Sequence, residues 1–378
     1  MGRLIWRNEN IVIREYKTKD KDFLSRISRL PNNCDFHSLQ AYSFCDDYSI
    51  RRSMTQNGFI WVAEDDITNK VIGGLCLAEK RLKINGVERL FFYPFDAIVD
   101  PEYRSLSILK RLTDLATLTF MEHYDLKPIT YTSTSITNEN MDRFYKNTSM
   151  KEMVQQVQHA WRVEHPFIEP QRDERVKIWK ERDCHLVKEK FDIHFKNYEM
   201  VPVEFDELLF NKFYKHSYFA QFKGENNKMI EASISIWDQN KVSTLVNLTP
   251  SMLSSNEIRG NSNQLVDEIT SRNTRQQQNN PNHFFQLFGC YSTENFNDPL
   301  EYSLFYELLK FVHNDCLNMG VEYLFIGLSK TDPIDRYFPL LPGIKSLPFV
   351  MHFCLGNEED HIQEIMVSYY FMLILIII

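Results

Sequence analysis

The sequence predicts an α/β chain made of two diverged copies of one folding unit. Three observations carry this reading. A nearly unbroken apolar run at 90–99 (LFFYPFDAIV) meets Pro101 and leads into a long helical pattern. The ending strand, long helix, strand, short helix, strand occurs twice along the chain. The length of 378 residues suits two domains of roughly 150 residues each.

In the first half, residues 11–16 alternate apolar and charged side chains, as a half-buried strand does. Residues 19–30 place Phe23, Leu24, Ile27 and Leu30 at helical spacing. Segments 58–64 and 71–80 read as paired strands around the turn DDITNK, and Asn85-Gly86 marks the next hairpin turn. The run at 90–99 is apolar enough to be a central strand covered on both faces. Pro94 inside it points to a bulge or a break in the ladder. Residues 105–124 carry Leu106, Leu109, Leu112, Leu115, Ala116 and Phe120 as one helix. A strand at 128–134, a short helix at 138–146 and a strand at 153–163 complete the unit, with Asn138 placed to cap the short helix.

The second half is less regular. Residues 165–186 combine prolines with dense mixed charge and read as a connection, helical in part. Residues 204–219 read as helix, and 229–237 with 242–248 as a hairpin around Asp238-Gln239-Asn240. The stretch 254–282 is polar, with a Gln/Asn run, and reads as a poorly ordered insertion. A strand at 284–291, a helix at 300–319, strands at 321–328 and 347–355, and a short turn or helix at 333–338 repeat the ending of the first half. The expected division is a first domain at 1–164, a linker at 165–186, a second domain at 187–358 and a tail at 359–378.

Composition narrows the function. A net charge of −8, with no basic run, argues against nucleic-acid binding. The seven cysteines form no CxxC pair, so free thiols in a reducing, cytoplasmic setting are expected, with no metal. His185, His194 and His216 lack companion acids at metal spacing, and no phosphate-loop, dinucleotide or nucleophile-elbow motif is present. The N-terminus has no signal-peptide apolar region, and Trp6 stands where a myristoylation start needs Ser or Thr. Residues 365–378 (IMVSYYFMLILIII) are uncharged but shorter than the roughly 20 residues of a spanning helix. A buried strand, a chain end unrelated to the fold and a short anchor are the readings; a membrane role is otherwise not expected.

Val99, Pro101 and Arg104 fit V-x-P-x-x-[QR] at a strand end, and Arg104-Ser105-Leu106-Ser107-Ile108-Leu109 fits the register of [QR]-x-x-G-x-[GA] opening a helix. Asn138 and Tyr145 keep a seven-residue Asn-to-Tyr offset, with Ser149-Met150 where Gly-Phe is usual. Over residues 11–163 the chain thus resembles the GNAT superfamily of acyl-CoA N-acyltransferases. The resemblance implies two such domains in tandem, the second degenerate, each with a mixed, mostly antiparallel sheet flanked by helices. It implies acetyl-CoA as co-substrate and an amine acceptor. The CoA pyrophosphate would meet free N–H groups at Ser105, Leu106, Ser107, Ile108 and Leu109, beside Arg104. The pantetheine arm would pair with Ala97, Ile98 and Val99, and Asn138 would lie near the cofactor. Tyr145 matches the family's tyrosine that protonates the leaving thiolate.

Asp96 is the one carboxylate inside the apolar strand. It reads as the general base, as an anchor for a cationic amine, or as a structural acceptor at a bulge; Tyr93 is another polar group there. Tyr145 also reads as a packing tyrosine, and Asn138 as a cap alone. Ser107 and Leu109 stand where the family has small residues, which keeps a second function open: a catalytically silent scaffold binding a metabolite or a protein. Transfer of a longer acyl chain near a membrane is a third. In the second half, the corner 292–299 ends in Asp298-Pro299, a helix start whose charge opposes an anion. Gly327, Leu328, Ser329 and residues 332–336 line an acceptor pocket or form a plain turn.

Overall fold

A computed structural model describes residues 4–354, apart from positions 9, 46, 56, 85, 149, 197, 199 and 204 and segments 29–40, 125–128, 169–174, 224–227, 248–282 and 295–302. The expected insertion at 254–282, the tail at 359–378 and the Asp298-Pro299 helix start lie outside the described residues.

In chain order the elements are β1 (Leu4–Asn8), β2 (Ile11–Glu15), α1 (Lys21–Ser28), β3 (Ala41–Phe44), α2 (Ser49–Arg52), β4 (Gly58–Asp65), β5 (Lys70–Ile84), β6 (Val87–Val99), α3 (Ile108–Tyr124), β7 (Ile129–Ser135), α4 (Glu139–Lys146) and β8 (Lys151–Arg162). They continue as β9 (Val176–Glu181), α5 (Cys184–Phe195), β10 (Met200–Pro202), α6 (Asp206–Leu209), β11 (Tyr214–Lys223), β12 (Met229–Asp238), β13 (Thr244–Asn247), β14 (Phe284–Ser292), α7 (Leu304–Asn318), β15 (Tyr323–Ser329) and β16 (Lys345–Cys354).

The expected mixed, mostly antiparallel arrangement is present as one continuous sheet of 14 strands. Its order is β1-β2-β4-β5-β6-β7-β16-β8-β15-β14-β12-β11-β9, with β10 on β5 and a separate pair β13-β3. β6 with β7 and β14 with β15 are parallel; the other pairings are antiparallel. β16 lies between β7 and β8, and β8 lies between β16 and β15. Each half therefore lends its last strand to the other, and the joint is continuous hydrogen-bonded sheet.

Helices cover both faces. Ile108, Leu112, Ala116 and Phe120 recur at four-residue spacing on α3 and pack on Ile13, Ile72, Leu77 and Phe92. On the opposite face Leu24 and Tyr48 pack on Val62, Cys76 and Tyr93. In the second half α7 buries Leu308, Leu309 and Val312 against Ile234, Leu287 and Ile326, while Phe191, Phe195 and Leu208 cover Phe219, Trp237 and Phe288 from the other side. A fully buried Phe or Leu contributes about 1.5–3 kcal/mol, so these layers hold the sheet.

Several local expectations are corrected. The connection at 165–186 contains β9, an edge strand on β11; Lys177, Lys180 and Glu181 give it charge, and edge strands are commonly charged. Among the described residues of 204–219 only Asp206–Leu209 is helical, and β11 begins at Tyr214. Tyr218 and Phe219 face opposite cores, both fully buried, so the strand shows no one-sided pattern. β12 pairs with β11 and β14, while the 242–248 segment supplies β13 to the small pair with β3. Pro94 stays in register opposite Leu77, and the bulge comes after it.

That bulge has a counterpart. Between Gly74–Ile98 and Cys76–Phe95, β6 puts Asp96 and Ala97 against the single residue Leu75. Between Ser233–Tyr291 and Ser235–Phe288, β14 puts Gly289 and Cys290 against Ile234. The first residue of each bulge is left-handed, Asp96 at φ 52° and Gly289 at φ 57°.

Candidate active site

Parallel pairing between β6 and β7 covers Phe91–Ile129 and Phe92–Thr130. Beyond it, among the described residues, β6 runs on paired with β5 up to Val99–Gly73, while β7 pairs with β16 up to Ser135–Phe349. The two strands part, each held by its outer neighbour. Near the apex the Thr132 hydroxyl donates to the Pro94 carbonyl across 3.2 Å. Ala97 is exposed although it lies mid-sheet, and among the described residues β7 pairs with β6 only at Phe91 and Phe92. Ile98 is buried and Val99 half-buried.

The β6 end leads directly into α3. Asp100 accepts from the Glu102 amide at 3.1 Å and receives Arg26 at 2.7 Å, so Pro101 to Leu106 forms a 3-10 turn. Arg104 turns back and its Nε donates to the Val99 carbonyl at 3.2 Å. Ser105 and Leu106 end the turn. Ser107 then takes φ 55°, the conformation glycine favours, and α3 starts at Ile108. Ser107, where the sequence pattern has glycine, thus takes a backbone conformation that glycine favours. Ile108 is buried in the core, and Leu109 is half-buried. α3 has no acidic residue in its first turn.

The equivalent helix start in the second half is filled. The Glu294 carboxylate accepts from the amides of Leu304 and Phe305 and from the hydroxyls of Ser292 (2.9 Å) and Ser303 (3.1 Å). Ser303 caps the Tyr306 amide at 3.2 Å. An internal carboxylate thus sits where an anion would be bound. The Gly289 bulge is filled too: a Cβ there would lie 2.2 Å from the Phe191 ring.

Tyr145 projects from α4 into the sheet, 6% exposed, its ring on His352 with 4.4 Å between centroids. Its hydroxyl lies 3.4 Å from Thr132 Oγ1, at the parting of the strands. Burial pushes Tyr145 up to about 12, with the Thr132 bond working the other way, so it keeps its proton at neutral pH. Tyr93 is raised by burial and further by Tyr145 and Asp96, which places all three in one electrostatic neighbourhood. Asn138 caps α4, its Oδ1 accepting from the Met141 amide at 3.2 Å. Asp96 does not stand alone. Its Oδ2 is 3.0 Å from Arg51 Nε, and its carbonyl accepts the Tyr48 hydroxyl. Burial raises the Asp96 carboxyl, and Arg51 offsets this only in part.

Sequence reasoning missed Tyr48, Arg51 and Glu294. α2 is four residues long, in a polar stretch that gives no periodic signal. Among the second-half candidates, Gly327, Leu328 and Ser329 lie in β15. Asp332 caps a turn through the Ile334 amide, and Asp335 Oδ1 is 2.5 Å from His159 Nε2. Among the described residues no group of three or more His, Cys, Asp or Glu could hold a metal ion, and no helix is long and apolar enough to cross a membrane.

No protein-family model and no curated protein matches the sequence. Solved structures do. N-myristoyltransferase of Saccharomyces cerevisiae with bound myristoyl-CoA superposes with a TM-score of 0.57 at 9% identity, covering 93% of this chain and 84% of that one. A structure of the same yeast enzyme with myristoyl-CoA and inhibitors gives 0.56 at 8% identity, covering 93% and 81%. At such identity the likeness speaks to the fold, and the chain has the fold of the acyl-CoA N-acyltransferases, the GNAT fold.

Proposed function

We propose that the chain transfers an acyl group, acetyl first of all, from acyl-CoA to the primary amine of a small molecule or peptide. The parting of β6 from β7 beside the start of α3 carries this reading. A strand edge with exposed Ala97 offers main-chain groups to a pantetheine arm, and the α3 amides offer N–H groups to a pyrophosphate. The myristoyl-CoA held by the yeast enzyme supports an acyl-CoA as co-substrate. A short acyl group fits better than a long one, because the pair of buried Arg51 and half-buried Asp96 at the bulge is a poor neighbour for an alkyl chain.

In this mechanism the amine nitrogen attacks the thioester carbonyl and the carbon–sulfur bond breaks. The amine loses a proton to solvent, and the leaving thiolate takes one from Tyr145, which is then reprotonated from water. Arg104 and Ser105 to Leu109 surround the pyrophosphate, and Ala97 to Val99 align the pantetheine. Asn138 acts indirectly, by capping the helix that carries Tyr145. The second half is silent toward CoA, since Glu294 and Phe191 occupy the equivalent places. We read the two halves as units divided near 165–186 that exchange their last strands. The cysteine spacing, with no CxxC pair, supports a cytoplasmic setting.

One observation favours a silent scaffold instead: Tyr145 is stacked and only 6% exposed. Titration calorimetry with acetyl-CoA, followed by thiol release with an amine panel, separates the readings. Binding with turnover supports the enzyme, binding without turnover supports the scaffold, and no binding at millimolar ligand defeats both as CoA proteins.

A further inference from the structure

Asp96 is held from two sides in a conformation that a non-glycine residue rarely takes. At φ 52° it is left-handed. The Tyr48 hydroxyl binds its carbonyl, and Arg51 Nε lies 3.0 Å from its carboxylate. Both side chains come from one short segment at α2, and both are buried, Tyr48 at 0% and Arg51 at 2% exposure. At 3.0 Å the guanidinium and the carboxyl group hold each other at close range. The carboxylate is turned into the core toward a guanidinium, while the next residue, Ala97, is exposed at the gap. The counterpart bulge in β14 has Gly289 at φ 57°, where no side-chain hold is required.

We propose that Asp96 is a positioning residue rather than a proton acceptor: with Tyr48 and Arg51 it latches the β6 bulge left-handed, so that the main chain of Ala97 faces the thioester. This rests on the acyl-CoA reading above. The latch fixes one residue's carbonyl and side chain together, which orients the following peptide unit. A general base would need its lone pairs at the gap and a partner that leaves them free; Arg51 takes that place.

The order of activity among substitutions at one position tests this. Asn tolerates the left-handed region, Gly adopts it freely, and Ala is strained there. Rates are read as thiol release from acetyl-CoA with an amine the parent acetylates. For D96N the latch predicts a kcat within about fivefold of the parent and an unmoved acidic limb of the pH profile, whereas loss of a base costs about a hundredfold or more. D96A is expected to lose at least about tenfold in kcat relative to D96N, with KM for acetyl-CoA little changed. Because a lone Arg51 in the core threatens folding, the pair R51M/D96G and R51M/D96A is compared as well. The glycine double is expected to be at least about tenfold faster. Equal rates for the two doubles, or a D96N that loses the acidic limb, overturns the proposal. If the parent binds acetyl-CoA without turnover, the function reading fails while the latch is still decided by denaturant unfolding. The glycine double must then have an unfolding equilibrium constant about tenfold smaller than the alanine double, and equality refutes the latch.

Discussion

Glu294 is the group whose removal should most change the second half. Its carboxylate receives the amides of Leu304 and Phe305 and the hydroxyls of Ser292 and Ser303 at the start of α7. Hydrogen bonds to a charged group contribute about 1.5–3 kcal/mol each when buried, less where water can replace the acceptor. The favourable charge at a helix N-terminus adds about 0.3–1 kcal/mol. The site is half-buried and Ser303 still caps Tyr306, so Glu294→Ala should destabilise by about 2–3 kcal/mol. Glu294→Gln keeps an acceptor oxygen and loses the charge, and should cost about 1 kcal/mol. Urea unfolding followed by circular dichroism, with the slope checked for constancy, measures both. Added phosphate should stabilise the alanine variant more than the parent, since the variant frees a second helix start, at α7, beside the one at α3. An alanine variant within about 0.5 kcal/mol of the parent would refute the reasoning, and with it the contrast between a filled α7 start and an available α3 start.

Gly289→Ala combines a left-handed φ of 57° with a Cβ 2.2 Å from the Phe191 ring, so it should cost at least about 3 kcal/mol. Thermal and urea unfolding report this, and Phe191→Leu in the same chain should recover part of it; a stable single variant would contradict the packing. His194, stacked on Tyr291 at 3.8 Å, is held down to about 4 by burial. The unfolded chain takes that proton near the ordinary value of about 6.5, so it binds more protons than the folded chain between the two values. Stability should therefore fall as pH drops from about 6.5 towards about 4, and His194→Phe should lower that slope by one proton. Unfolding measured at several pH values in this window checks it, and an unchanged slope would count against a neutral buried imidazole.

The corner at 99–104 was legible because its chemistry is local. Asp100 caps, Pro101 starts the turn, and Arg104 binds the carbonyl of Val99, all within six residues. Asn138 was legible for the same reason. The exchange of β8 and β16 left no trace, since pairs such as Val154 with Met351 join distant stretches of chain and strand periodicity names no partner. β11 was misread because its two faces are both buried, so its period vanished. Asp96 stood out as a charge in an apolar run, but its left-handed backbone and its Arg51 partner depend on tertiary contacts. The importance of Ser107 changed as well. As a replaced glycine it weakened the phosphate-loop pattern; at φ 55° it takes a conformation that glycine favours.

The central claim is that acyl-CoA is held where β6 parts from β7 at the start of α3. Titration calorimetry of acetyl-CoA against the parent and Ser107→Asp tests it most directly, because the variant puts a carboxylate at the α3 start as Glu294 does at α7, and Asp tolerates the left-handed position. The account predicts saturable binding by the parent and a loss of at least about tenfold in affinity in a variant that remains folded. Absence of binding by the parent, or equal affinity in the two proteins, would contradict it.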